Sequence, residues 1–487
     1  MSEAPPNAQE PEKRHRRGPA RSPLSWLVGG GLVAAAAACF VFEAWLNSYL
    51  ASEAFRLRTE AAIGRALKAE SRLAPLQRQG TTLTSETLQL QGEPGAFFAS
   101  AEVQGVRADV DLSALWQRLW RIEHLGFQRL SVDLNRPAPA PPASQPAAGT
   151  SSAASPAGST SAPRLGAPPA WQALLAGLLP NRTRIATLHT DRASFSLLGA
   201  ELRQCRLTAV PSEAGNGWEV GLESGDLSVP GLPAGELQEA KFSLRGGGGV
   251  LRSSRLQIKK GGQAFVSGEW SREGGRDFHA KLENLVAEPF LPLWWQTRLA
   301  GLLQGNLRLQ SSGAGTETLS GELKLTNGKL EAFPLLSQLD SFVGSPRFRQ
   351  VALKTASAKV RRTADRTEFS DIDLDADGIL RLQGTLHVQS GTLDGRMQLG
   401  IPPAVIQWLP SARTKMFGAS RDGFVWTPFT VTGSLDQPVE DLSPRLAGAA
   451  VEAVTETLKK LPATVPQGLP EAAKGLLDAV KSLLPGR

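Results

Sequence analysis

Polar and apolar residues alternate with a period of two over most of this chain. In GELKLTNGKL, residues 321–330, Leu323 and Leu325 fall on one side of an extended backbone and Glu322 and Lys324 on the other. The stretch reads as a strand with one apolar face, ending at an Asn-Gly turn that Leu330 follows. The alternation recurs between residues 182 and 310 in RASFSLL, ELRQCRLTAV, GWEVGLES, ELQEAKFSLR, VLRSSRLQIKK, QAFVSGEW, DFHAKLEN and LQGNLRLQ, each interrupted by Gly, Pro or Asn. A second series follows in VALKTASAKVRR, TEFSDIDLDADG, ILRLQGTLHV, LDGRMQLGI and PFTVTGSL; in it Leu380, Leu382, Leu386 and Val388 oppose Arg381, Gln383, Thr385 and His387. Strand after strand with tight turns predicts an antiparallel meander, roughly sixteen to twenty strands forming a ladder of about 75–95 Å.

Closer to the N-terminus, TSETLQLQ (84–91) alternates, and FFASAEVQGVRADVDL (97–112) alternates with a change of phase at Gln104-Gly105 that reads as a bulge. Helical spacing is expected over residues 47–70 and in the short segments 113–125, 170–180, 287–303 (with Trp294 and Trp295) and FPLLSQLDSFVG. Residues 441–487 read as amphipathic helices, either a cap over the open end of a sheet or a contact for a membrane surface or partner. Residues 136–170 are almost wholly Pro, Ala, Ser, Gly and Thr, a disordered linker that either separates two domains or interrupts one sheet.

The alternation is absent from Ser22 to Phe42, an uncharged run about 32 Å long as a helix, which matches a bilayer core. Trp26 near its start and Trp45 and Tyr49 past its end sit where interfacial aromatics lie, and a Lys/Arg cluster precedes it. A single-pass anchor over 22–46 is expected, with residues 1–21 a basic cytoplasmic tail and the bulk of the chain outside. A cleaved signal peptide is the rival, disfavoured because the run is long and passes into a polar helical stretch without turn residues.

Composition agrees with turn-dense β structure: 49 Gly, 34 Pro and a single Tyr in 487 residues. The formal charge of +7 has no dense basic patch interleaved with aromatics, so nucleic acid is not an expected partner. Cys39 lies in the apolar run and Cys205 far from it, so no disulfide framework is expected. The five histidines, His15, His124, His189, His279 and His387, lack metal-site spacing, and no HExxH, GxSxG or Walker A motif occurs. DLDADG (373–378) begins like a calcium loop, but its twelfth position is Gly384 where a carboxylate is needed, so it reads as an acidic strand ending in an Asp-Gly hairpin turn. The Gly246–Gly249 run likewise reads as a hairpin loop. No catalytic constellation, metal site or cofactor is expected.

The anchor running into LNSYLASEAFRLRTEAAIGRAL, the repeated strand units, the block LSGELKLTNGKLEAFPLLSQLDSFVG, the following DIDLDADGILRLQGTLHVQSGTLDGRMQLGI and the closing PFTVTGSLDQPVEDLSPRL together resemble the AsmA-like family of bacterial envelope proteins, over roughly residues 20–445. Segment 136–170 departs from the family's compact pattern. The resemblance implies a mostly β fold in which an N-terminal transmembrane helix precedes an extended, curled, groove-like sheet. Residues 47–135 would be a helix and first β region, 171–440 the groove and 441–487 the closing helices. It implies an inner-membrane protein, largely periplasmic, that binds or conducts phospholipid in outer-membrane biogenesis or maintenance. Leu323, Leu325, Leu330, Leu380, Leu382, Leu386, Met397 and Leu399 would then line a groove for acyl chains. The same leucines could instead pack on one another as a closed core, and the alternative function is an envelope scaffold that recruits assembly or secretion factors without lipid.

Overall fold

The alternating stretches become strands because each can place one apolar row against its neighbours and one polar row in water. The computed structural model describes residues 40, 43–117, 119–135, 182–213, 215, 217–313, 315–331, 350–407, 415–418 and 420–460. Its strands are β1 (Ala69–Leu73), β2 (Gln77–Gln79), β3 (Thr82–Gly92), β4 (Ser100–Asp111), β5 (Leu119–Phe127), β6 (Arg129–Asp133), β7 (Arg182–Leu197), β8 (Ala200–Pro211), β9 (Gly217–Ser228), β10 (Gly235–Arg245), β11 (Gly248–Ile258) and β12 (Gln263–Ser271). They continue as β13 (Gly275–Val286), β14 (Leu299–Ser312), β15 (Thr318–Glu331), β16 (Gln350–Leu353), β17 (Thr355–Thr363), β18 (Arg366–Asp375), β19 (Arg381–Gln389), β20 (Thr392–Ile401), β21 (Ser420–Arg421), β22 (Phe424–Gly433) and β23 (Pro438–Glu440).

All 23 belong to one sheet. Four pairs, β1 with β2, β5 with β6, β16 with β17 and β21 with β23, share a neighbouring strand, so the sheet has nineteen rungs in chain order. Eighteen spacings of about 4.8 Å give roughly 86 Å along the sheet.

A line of irregularities crosses these rungs near mid-strand. Gly105, Gln204, Ser224, Asn284, Asn327 and Asp371 have left-handed backbones, and ladder registers shift beside Asn284, Asn327 and Asp371. Bulges add twist and bend, so a row of them curls the sheet. The curl brings distant rungs together: Trp295 Nε1, just before β14, donates to the carbonyl of Leu435, just after β22, at 3.2 Å.

Several expectations change. The sheet is mixed, because β7 pairs parallel to β5 and β6. The chain leaves β6 at one end of the strands and re-enters at the other, so residues 136–181 connect two neighbouring rungs of the same sheet. Asn327-Gly328 is a bulge inside β15: the register with β14 slips by one residue there, which returns Leu330 to the face of Leu325. The stretch 113–125 is a 3₁₀ turn (Leu112–Gln117) followed by β5, and 287–303 is a 3₁₀ turn (Glu288–Phe290), one helical turn (Leu293–Gln296) and β14. In these segments cross-strand pairing overrides a helical spacing too short to sustain a helix. The Asp-Gly turn forms as expected, with Asp377 and Gly378 both left-handed and Ile379 N–H donating to Ala376 O at 2.9 Å.

Helix α1 spans residues 43–50 and helix α2 Glu53–Leu67, separated where Ser52 turns extended and accepts the Phe55 N–H as an N-cap. Helix α3 is Leu442–Lys460, its first N–H groups received by the Glu440 carboxylate. The helices close both sheet edges. Glu60 and Arg56 of α2 hydrogen-bond the Leu73 N–H and carbonyl on the first rung, while Arg445 of α3 donates to the Pro428 carbonyl at 2.9 Å on β22.

Among the described residues no helix is long and apolar enough to cross a membrane. The expected span from Ser22 lies outside the described residues except for residue 40 and those from 43 onward, and Trp26 lies outside them, as do 136–181, 332–349 and 461–487. Trp45 and Tyr49 are half-buried on α1 and stack with ring centroids 5.5 Å apart.

Candidate functional site

Direct cross-strand partners share a face, so the register traces the apolar side of the sheet. One row runs Leu207, Leu222, Ala240, Ser254, Val266, Ala280, Leu307, Gly321, Val360, Phe369, Leu386, Gly395 and Val431 from β8 to β22. Towards the N-terminus the same face continues through Val103, Leu88 and Leu73. It carries three apolar clusters. In the C-terminal cluster Leu299 and Leu303 of β14 join Phe429 and Val431 of β22, so the apolar face is the inside of the curl.

The seven leucines and one methionine expected to line a groove all belong to this face or its border, yet they divide. Leu325, Leu330, Leu380, Met397 and Leu399 are buried, whereas Leu323, Leu382 and Leu386 are half-buried. Burial of the first group has a visible cause. Leu442, Leu446 and Ala449, one stripe of α3, are buried in the same cluster with Ile401, Ile406, Phe417 and Val425. This part of the face is a closed core, with Leu399 and Ile401 each 1% exposed.

From β7 to β14 the face is more open. Phe195, Leu202, Trp218, Val220, Phe242, Val266, Trp270 and Phe278 are half-buried and packed beside one another. Trp270 and Phe278 stack at 6.3 Å, and Phe242 meets Trp270 edge-on. Ala240, Ser254, Val266 and Ala280 form a low floor of small side chains between larger ones. Sequence reasoning centred on the C-terminal block did not single out these residues, although the alternation in GWEVGLES, ELQEAKFSLR and QAFVSGEW marks them equally.

The opposite face is charged and self-paired. Arg308 grips Asp277 through two hydrogen bonds of 2.9 and 2.6 Å and holds its carboxyl below the usual carboxylate range, while Asp371 raises the Lys359 ammonium from 2.8 Å away. Such exposed pairs add little stability but keep this face wet. Asp373 and Asp375 also have local partners, in Gln383 and Arg381. Among the described residues no group of His, Cys, Asp and Glu is arranged to hold a metal ion.

Cys205 lies on the inner side, fully buried against Ala193, and burial pushes its thiol up to about 11. Because the thiolate is the reactive form, the folded protein should leave Cys205 unmodified by iodoacetamide at pH 8, and denaturant should restore ordinary reactivity. Labelling of Cys205 at a free-thiol rate in the folded state, read by peptide mass spectrometry, would contradict its burial.

Taken together, the site is a long apolar trough, closed and capped near the C-terminus and half-open over its middle. No protein-family model, curated protein or solved structure matches this chain.

Proposed function

We propose that this chain is a membrane-anchored, periplasmic protein of the AsmA-like kind whose inner sheet face binds or conducts phospholipid in building or maintaining the outer membrane. The observation that carries this reading is the continuous apolar face, left half-exposed between β7 and β14 while the outer face is charged. An acyl chain laid along such a trough gains about 0.8 kcal/mol per buried CH₂, so lipid can be held without a dedicated polar residue. The headgroup would remain in water at the rim. In this reading residues 22–46 hold the chain in the inner membrane with residues 1–21 in the cytoplasm, and the function is binding rather than catalysis.

Phe242 and Phe265 give a matched test. Phe242 pairs with Leu251 and Val220 on the apolar face, whereas Phe265 pairs with Lys281 and Arg255 on the charged one. With a benzophenone side chain at either position of the full chain, irradiation in bacterial cells is expected to give phospholipid adducts at 242 at least about tenfold above those at 265, since only the apolar trough shields alkyl chains from water. Equal yields, or protein adducts without lipid at 242, would remove the lipid reading in favour of a scaffold.

A further inference from the structure

The last rung of the sheet is built in two pieces. On its far side β22 pairs with β21 at Phe424 and Val425 and with β23 from Val431 to Gly433, so residues 427–429 have no strand neighbour there. Pro428 suits this gap because it has no N–H to leave unpaired, and its carbonyl accepts from Arg445 of α3 at 2.9 Å. Beside the gap lies an outer-face cleft of about 600 Å³, floored by two cross-strand rows, Gln383–Gln398–Pro428 and Thr385–Arg396–Thr430.

Three guanidiniums reach this cleft from three elements, Arg396 from β20, Arg421 from β21 and Arg445 from α3, against the single carboxylate of Asp441. That carboxylate is already engaged: one oxygen accepts the Thr430 N–H at 2.8 Å, and the other lies 3.9 Å from Arg445. The carboxylate beside Arg421, that of Asp422, is also 3.9 Å away. Arg396 is exposed and has neither an ion-pair nor a hydrogen-bond partner among the described residues. Arg308–Asp277 and Lys359–Asp371, on the same outer face, are by contrast paired at 2.6 and 2.8 Å. Folding alone does not call for the cleft's arrangement, since like charges gathered together repel and Arg396 makes no bond that offsets this.

Two of the guanidiniums are held in place. Arg421 donates to Gln383 Oε1 at 3.0 Å and lies 4.6 Å over the ring of Trp426, which is buried and donates from Nε1 to the Arg421 carbonyl. The Gln383 amide is oriented in turn by donating to Asp373 at 3.0 Å, so one aspartate of the acidic strand DLDADG positions an arginine of the cleft. Arg421 and Arg445 each use one N–H in these bonds and keep most of their five donors for a ligand.

We infer that this cleft binds a phosphate monoester, with the three guanidiniums around the phosphate and the glutamines and threonines of the floor facing the group that carries it. Guanidinium forks bond phosphate oxygens in bidentate pairs, and three terminal oxygens engage forks arriving from several sides, whereas a carboxylate offers two oxygens in one plane. The excess of cations over carboxylates matches a dianion. The volume falls in the range of clefts that hold small organic molecules, so the phosphate is carried on a larger group such as glycerol. The cleft lies on the outer face, so its occupancy is separate from what the inner trough binds.

A soluble glycerol phosphate and the headgroup of phosphatidic acid present the same group. Calorimetric titration of the full chain in dodecyl maltoside, with glycerol 3-phosphate and with dihexanoyl phosphatidic acid, separates the two sources, at about 0.15 M chloride to screen non-specific attraction. Saturable one-to-one binding of at least one of them is expected. Similar affinity for both identifies a soluble phosphate, and markedly tighter lipid binding identifies a headgroup. In either case Arg396→Gln, which removes no bond within the protein, should weaken binding at least about tenfold, the loss of one charge-assisted contact, with an unchanged melting temperature. Arg255→Gln, the same charge change elsewhere on the outer face, should bind like the parent. Binding of neither ligand, equal affinity in the parent and Arg396→Gln, or an equal loss in Arg255→Gln would each overturn the proposal. Lipid binding that survives Arg396→Gln and is lost in Val266→Arg belongs to the trough and would overturn it too.

Discussion

Leu399→Arg is expected to abolish ordered packing in the C-terminal part of the sheet while leaving the rungs around β8–β12 intact. Leu399 is 1% exposed, pairs with Leu382 on one side and Thr427 on the other, and lies in the cluster covered by Leu442 and Leu446 of α3. A guanidinium there has neither water nor a carboxylate to meet, and the Thr427 hydroxyl, itself buried without a hydrogen-bond partner, offers no more than one acceptor. Burying an unpaired charge and overfilling a packed site together cost more than about 4 kcal/mol. Each rung touches chiefly its neighbours, so the damage should stay local, as it does in stacked architectures. Hydrogen exchange measured by peptide is the appropriate readout: protection should collapse across β19–β22 and α3 and survive in β8–β12. Undiminished protection in β20 would mean that this cluster is open to solvent and that α3 does not close it.

How much of this was legible in the sequence depends on which interaction decides each feature. Strand identity rests on a two-residue period and was legible, because Leu323 with Leu325 or Leu386 with Val388 can share an apolar face only in extended chain. The Asn327-Gly328 pair misled, since the same left-handed preference serves a hairpin turn and a mid-strand bulge; only the neighbouring register, set more than twenty residues away by Leu302 and Ala300, distinguishes them. LAGLL and LWRIEHL carry helical spacing over too few residues to decide anything, and partner strands settle both. The parallel junction between β5 and β7 depends on where a chain of low complexity re-enters the sheet, which no local pattern encodes. For the site, the sequence marked the face but not its covering. Whether Leu399 or Val266 meets water depends on α3, whose stripe of Leu442, Leu446 and Ala449 was legible as apolar but not as belonging to one end of the trough.

Val266→Arg, on the open half of the same face, should have the opposite balance: a fold largely intact and lipid largely lost. Val266 is half-buried between Ser254 and Ala280, small neighbours that leave a long side chain room to rise from the floor. An arginine can lay its methylenes over this floor and keep its guanidinium wet, so the stability cost is about 1–2 kcal/mol. An acyl chain lying along the trough would then have to strip water from that charge or lift away from the sheet, forfeiting several CH₂ contacts at about 0.8 kcal/mol each. Phospholipid retained per full chain after exhaustive detergent washing, counted by mass spectrometry, should fall by at least about tenfold, a loss of about 1.4 kcal/mol or more. Phe265→Arg on the charged face, where Arg255 lies over the Phe265 ring itself at 5.7 Å, should leave the count unchanged. If Val266→Arg retains as much lipid as the parent while keeping its hydrogen-exchange protection, the trough between β7 and β14 is not where lipid sits. The half-exposed aromatic row of Trp218, Phe242, Trp270 and Phe278 would then be read as one side of a protein interface, with the envelope scaffold as the function to pursue.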